Sequence, residues 1–235
     1  MGYEKFMQVL DGMVGEIIST QGDNIRAAAN LVCQSIMKGG ILQAFGSGHS
    51  YATALEICGR AGALIPAKAM EEPAHGDYET IEGVGREYIK KSDIRPEDIV
   101  VIISNSGRNP LPIEVAAYTR EKGAKIIVVT SLNVSKSLTS RHSSGKLLYE
   151  YADVVLDNRG VYGDAAVQLE GLPQKICATS SITGSILVDC MMCEAIEKMV
   201  SDGYLPPIYT SLNVDGGSDA NQYHIEQYAQ RIYHK

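Results

Sequence analysis

The stretch "DIVVIISNSGRNPLPIEVAAYTREKGAKIIVVT" (98–130) decides the fold. Both of its ends are short β-branched apolar runs, the composition of strands covered on both faces by helices. Between them Asn109 and Pro110 read as an N-cap followed by proline at the first helical position, and Gly123 stops the helix directly before the next strand. Strand, helix and strand in this order form a βαβ crossover, which requires a parallel sheet.

The same rhythm extends outward. "ILQAF" (41–45), "ALIPA" (63–67) and "ADVVLD" (152–157) repeat the strand pattern, giving five strands separated by segments with helical spacing. Two amphipathic stretches, 3–18 and 24–37, precede them, and Gly39-Gly40 ends the second. A long helix follows Thr179, with apolar residues at 182, 186, 187, 190, 193, 196 and 200. That stripe is wide, so the helix is expected to be buried or to form a subunit interface. A last helix is expected over 218–233. The expected fold is an α/β, three-layer αβα sandwich around a mainly parallel five-stranded sheet. It forms one domain, with N-terminal helices in 1–38, the core in 39–203 and a tail and helix in 204–235.

Composition narrows the function. A chain of 235 residues with 45% hydrophobic residues can bury a full core. The formal charge of −7 and the lack of a Lys/Arg cluster exclude a nucleic-acid surface, which needs concentrated positive charge. No apolar run approaches the ~20 residues of a bilayer span. The opening "MGYEKFMQVL" has no leader pattern, and Phe6 stands where myristoylation requires Ser or Thr, so a cytoplasmic protein without membrane partners is expected. Five scattered cysteines fit reduced thiols, and Cys190 and Cys193 read as core packing on a helix. The histidines are too dispersed to imply a metal, and no cofactor is expected.

Three loops carry the chemistry. "GSGHS" (46–50) follows the first strand and opens a helix, where free backbone N–H groups favour an anionic or hydroxyl-rich ligand. It is not a dinucleotide fingerprint, because Tyr51 stands where the third glycine belongs. "IISNSGRNP" (102–110) places Ser104, Asn105, Ser106 and Asn109 around Gly107 after the third strand. A third hydroxyl cluster, Thr179-Ser180-Ser181, starts the long helix. Loops at the carboxyl ends of parallel strands converge on the crevice where open α/β sheets bind ligands. Together they read as a sugar-phosphate site made of Gly46, Ser47, Gly48, His49, Ser50, Ser104, Asn105, Ser106, Asn109, Thr179, Ser180 and Ser181.

Gly46 to Ser50, Ser104 to Asn109 and Thr179 to Ser181 resemble, in that order, the three ligand loops of the sugar isomerase (SIS) domain family. The resemblance covers about residues 24 to 220 and implies a flavodoxin-like sheet, a phosphosugar ligand and a dimer or tetramer. The family holds aldose-ketose isomerases, amino-sugar and etherase chemistry, and non-catalytic sensors, so the fold does not fix the reaction. "MEEPAHGDYE" (70–79) is similar to a segment of arabinose-5-phosphate isomerases and carries His75 over as a site residue. "LEGLPQKICATSS" (169–181) carries over Glu170 as the catalytic glutamate ahead of the hydroxyl cluster.

Moving a proton between adjacent sugar carbons through an enediol needs a carboxylate base and an acid-base partner, the roles expected of Glu170 and His75. Asp164 and Glu150 compete for the first role. His49 is expected to make a specificity contact, His142 to lie on the surface, and Glu56 to form an ion pair or cap. Those isomerases also carry Ser-His-Pro-Gly-Gly near the domain's end. The corresponding stretch here is "SLNVDGG" (211–217), leaving Asn213, Asp215 or His224 to replace that histidine. The expected activity is aldose-ketose isomerisation of a sugar phosphate. A sugar-phosphate sensor, or a deaminase, epimerase or etherase-like lyase, is the alternative.

Overall fold

A computed structural model describes residues 1–233. Two helices, α1 (Gly2–Thr20) and α2 (Gly22–Met37), lead into β1 (Leu42–Gly46), α3 (Ser50–Glu56), β2 (Ala67–Glu71) and α4 (Val84–Ile89). The crossover read from sequence follows as β3 (Ile99–Ile103), α5 (Pro110–Glu121) and β4 (Lys125–Thr130). After α6 (Leu132–Lys136) come β5 (Val154–Asp157), a hairpin of β6 (Ala165–Val167) and β7 (Ile176–Ala178), α7 (Ser180–Ser201) and α8 (Gly217–Ile232).

The main sheet has the order β2-β1-β3-β4-β5 and is parallel throughout. Alternation along each strand divides the core in two. Leu42, Ala44, Val101, Ile103 and Val129 pack on one face against α2, α3 and α7, with Ile36, Leu187 and Met191 fully buried. Phe45, Val100, Ile102, Ile126 and Val128 pack on the other against α4 and α5. Strands this apolar are stable only with both faces covered, and the three layers follow.

Three expectations change. The second strand begins at Ala67 rather than Ala63. Pro66 has no N–H to give the ladder, so Leu64 instead bridges Ile208 in the opposite direction, and Ile65 donates its amide to Pro207. The segment read as a loop after the fifth strand contains the β6–β7 hairpin, too short and too exposed to show a strand pattern. Cys190 and Cys193 are exposed on the outer side of α7 rather than packed in the core. Among the described residues no helix is long and apolar enough to cross a membrane.

Candidate phosphosugar site

The strand order places β1 and β3 side by side with chain connections leaving in opposite directions, the switch point where open α/β sheets leave a crevice. A cavity of about 490 Å³ lies there, at the carboxyl ends of the strands. The loop after β1 forms part of its floor. Gly46 is required by close approach, because a Cβ there would stand 2.4 Å from the Ser50 carbonyl oxygen. The first turn of α3 thus folds back onto β1 and directs Ser47, Gly48, His49 and Ser50 to the cavity. Ser47 is buried, and its hydroxyl has no partner within the described residues. A buried hydroxyl left unbonded costs free energy unless a ligand or water meets it.

The loop after β3 supplies the opposite part of the floor. Gly107 adopts a positive φ of 60°, and a Cβ there would press on the Ser135 hydroxyl at 3.0 Å. That conformation lets its amide turn back to the Ser104 hydroxyl at 3.3 Å and leaves Ser106 facing the cavity. Asn105 lines the cavity too and is fixed by its neighbours: its carbonyl accepts from Thr130 Oγ1 and the Ser131 amide, and its Oδ1 from Asn158. Asn109 begins α5 as read from sequence, yet its side chain makes no capping bond. It turns into the site, where Oδ1 accepts from Arg141 at 3.0 Å.

Charge is arranged unevenly around this floor. Arg108 and Arg141 both line the cavity, their backbones joined by the Arg141 amide to the Arg108 carbonyl at 2.8 Å, and the Arg108 guanidinium also donates to the Thr139 carbonyl at 3.0 Å. The segment carrying Arg141 is tied down by Ser143, whose amide and hydroxyl both bond Glu82, and those bonds hold the Glu82 carboxyl below its ordinary pKa. Glu79, from the loop after β2, lines the cavity beside Asn109. Burial raises its carboxyl above the usual range, and the Asn109 amide and the Arg141 guanidinium only partly oppose that.

The third loop differs from its reading. Asp164, held at a positive φ of 64°, accepts from the amides of Thr179 and Ser180 at 3.1 and 2.8 Å and from the Ser180 hydroxyl at 2.6 Å. The N-terminus of α7 is therefore already met by a protein carboxylate, and a ligand anion there would be repelled. Of that cluster only Ser180 lines the cavity; Thr179 is fully buried and Ser181 lies outside it.

Neither Glu170 nor His75 lines the cavity. Glu170 stands exposed at the tip of the β6–β7 hairpin. His75 is exposed at a positive φ of 51°, and only its carbonyl packs toward Gly48. Asn213, Asp215 and His224 also lie outside the lining, as does Glu150, whose carboxylate caps a short turn through the Leu147 amide. Glu56 pairs with Arg60, as expected. His142 is less exposed than expected, with 16% of its side chain accessible and Glu82 and Glu114 at 3.5 and 3.7 Å. Sequence reasoning missed Glu79, Arg108, Arg141 and Tyr162. The first two sat inside the quoted motifs, where spacing alone does not say which side chains turn inward.

Comparison with known proteins gives a consistent picture. The sequence pattern of the SIS domain matches residues 5–131. A UPF0309 protein of Listeria monocytogenes is 54% identical over 219 residues, covering 93% of this chain and 94% of the relative. A UPF0309 protein of Geobacillus kaustophilus is 39% identical over 237 residues, covering 97% and 94%. Among solved structures, a phosphoheptose isomerase from Neisseria gonorrhoeae shares the fold with a TM-score of 0.56 at 20% identity, over 83% of this chain and 99% of that one. The sugar isomerase domain of an RpiR transcription factor from Sphaerobacter thermophilus shares it at 0.53 and 17% identity, over 86% and 92%.

Proposed function

Because the chain belongs to the SIS domain family, we propose that it binds a phosphorylated sugar in the switch-point cavity and isomerises it between aldose and ketose through an enediol. The observation that carries this reading is the polarity of the cavity. Ser47, Ser106, Arg108 and Arg141 offer hydroxyl and guanidinium donors toward one region, while Asp164 closes the end of α7 to anions. A phosphate fits the first region and sugar hydroxyls fit the second, since a carboxylate accepts from hydroxyls. Holding the remote phosphate fixes the carbons of the sugar against the reacting groups.

The base and its partner are carried by resemblance alone onto Glu170 and His75. In this chain Glu170 would serve only if the hairpin tip reaches a cavity it does not line, as the hairpin of a second copy could do. The exposed apolar residues Tyr3, Met7 and Ile18 on α1 and Ile182 and Val200 on α7 support a dimer or tetramer. A sugar-phosphate sensor is the second reading, favoured by the absence of both expected catalytic residues from the lining. The test is incubation with a panel of aldose and ketose phosphates in heavy water. Deuterium at the carbon next to the carbonyl supports isomerisation; tight binding without exchange supports the sensor.

A further inference from the structure

The lining contains two carboxyl groups, Glu79 and Asp164. Asp164 is committed to three donors at the start of α7. Glu79 is not committed in this way, and its backbone is held firmly. Glu72, itself 4% exposed, accepts from the amides of Ala74 and Gly76 at 2.7 and 2.6 Å and so fixes the turn that precedes it. The Glu79 amide then bonds the Gly76 carbonyl, and its own carbonyl accepts from Leu111 at the start of α5. Asn109 and Arg141 line the same cavity, joined to each other at 3.0 Å, and both favour the charged form of the Glu79 carboxyl. A carboxyl group on a clamped loop, lining a polar cavity, has the preorganisation that proton transfer requires.

We infer that Glu79 is the catalytic carboxyl of this site, taking the proton from the sugar carbon beside the carbonyl and returning it to the neighbouring carbon. The inference rests on the isomerase reading above. In the first step the C–H bond breaks, its electron pair forms the carbon-carbon double bond, and the carbonyl π pair moves to oxygen, which takes a proton from water. In the second the adjacent hydroxyl loses its proton to water and becomes the new carbonyl, and Glu79 protonates the other carbon. No oxidant or reductant is consumed, and Glu79 ends as it began. Asn109 and Arg141, on the same cavity wall, favour the charged form of that carboxyl. Burial also raises the affinity of Glu79 for protons, bringing it nearer the range in which it can both accept and return one.

The test compares wild type, Glu79→Gln and Glu170→Gln in heavy water with the sugar phosphate that the wild type exchanges, and measures its binding by calorimetry. Glu79→Gln is expected to lower exchange at saturation about 10²- to 10⁴-fold while dissociation constants stay within a few-fold. The wild-type exchange rate is expected to rise with pH through an ionisation above the usual carboxyl range. Undiminished exchange in Glu79→Gln overturns the assignment. So does loss of binding equal to the loss of exchange, which would make Glu79 a binding residue. A wild type that binds sugar phosphates and exchanges none overturns the isomerase reading, and the inference with it.

Discussion

Asp164 holds Ser180 by two bonds, from the backbone amide at 2.8 Å and from the hydroxyl at 2.6 Å, and so caps α7 from outside the helix. The same residue lines the cavity, which makes it both a helix cap and the boundary of the proposed phosphate region. Asp164→Ala is expected to cost about 1–2 kcal/mol of unfolding free energy, the range for losing such a cap. Asp164→Asn should cost less, since the amide oxygen still accepts and asparagine tolerates the left-handed backbone. Urea denaturation of the three proteins measures this; equal midpoints for all would contradict the capping role.

Glu79 should leave a signature on stability as well as on catalysis. Its carboxyl is raised above its ordinary value by burial, so between that value and its raised one the folded protein binds more protons than the unfolded chain. Stability conferred by the protonated form is therefore present at low pH and lost as pH rises through the folded pKa. Glu79→Gln is neutral throughout, so it should be more stable than wild type at pH 7, with the gap closing below the ordinary carboxyl range. Thermal melts across pH 4–8 measure the gap. A gap of constant size would show that burial of the charge is not the cause.

Assembly is testable independently of any ligand. Sedimentation at micromolar concentration is expected to give a dimer or tetramer that buries the apolar residues of α1 and α7. Charged substitutions at Met7 and Ile182, both exposed, should shift it toward monomer without unfolding the sheet. A monomeric wild type would contradict the proposed assembly and remove the route by which Glu170 reaches a cavity.

Much of the fold was legible because its signals are local. The β-branched runs of β3 and β4 and the Asn109-Pro110 start of α5 need only their immediate neighbours to be read, and all three elements lie where the pattern puts them. The start of β2 was misplaced because "ALIPA" is apolar for another reason, its packing against 207–209. The β6–β7 hairpin has strands of only three residues, too few for a period to register.

The site was legible to the extent that loops, not side chains, define it. Gly46 and Gly107 announce tight backbone, and both loops reach the cavity. Which carboxyl enters is a matter of tertiary placement. Glu79 lies four residues past the histidine that the motif highlighted, on a loop whose backbone is held by Glu72 and the start of α5, and it lines the cavity. In the same way Arg141 sits in a polar segment that reads as surface until Ser143 is seen tied to Glu82.

Ser106, with Ser47 and the two arginines, is proposed to grip a phosphate. Calorimetry with a sugar phosphate and its dephosphorylated parent tests it most directly, for wild type and Ser106→Ala. Wild type is expected to bind the phosphate ester and not the parent, and Ser106→Ala to lose roughly 1.5–3 kcal/mol of that binding, the worth of one charge-assisted hydrogen bond. Equal affinity for both sugars, unchanged by the substitution, would contradict it.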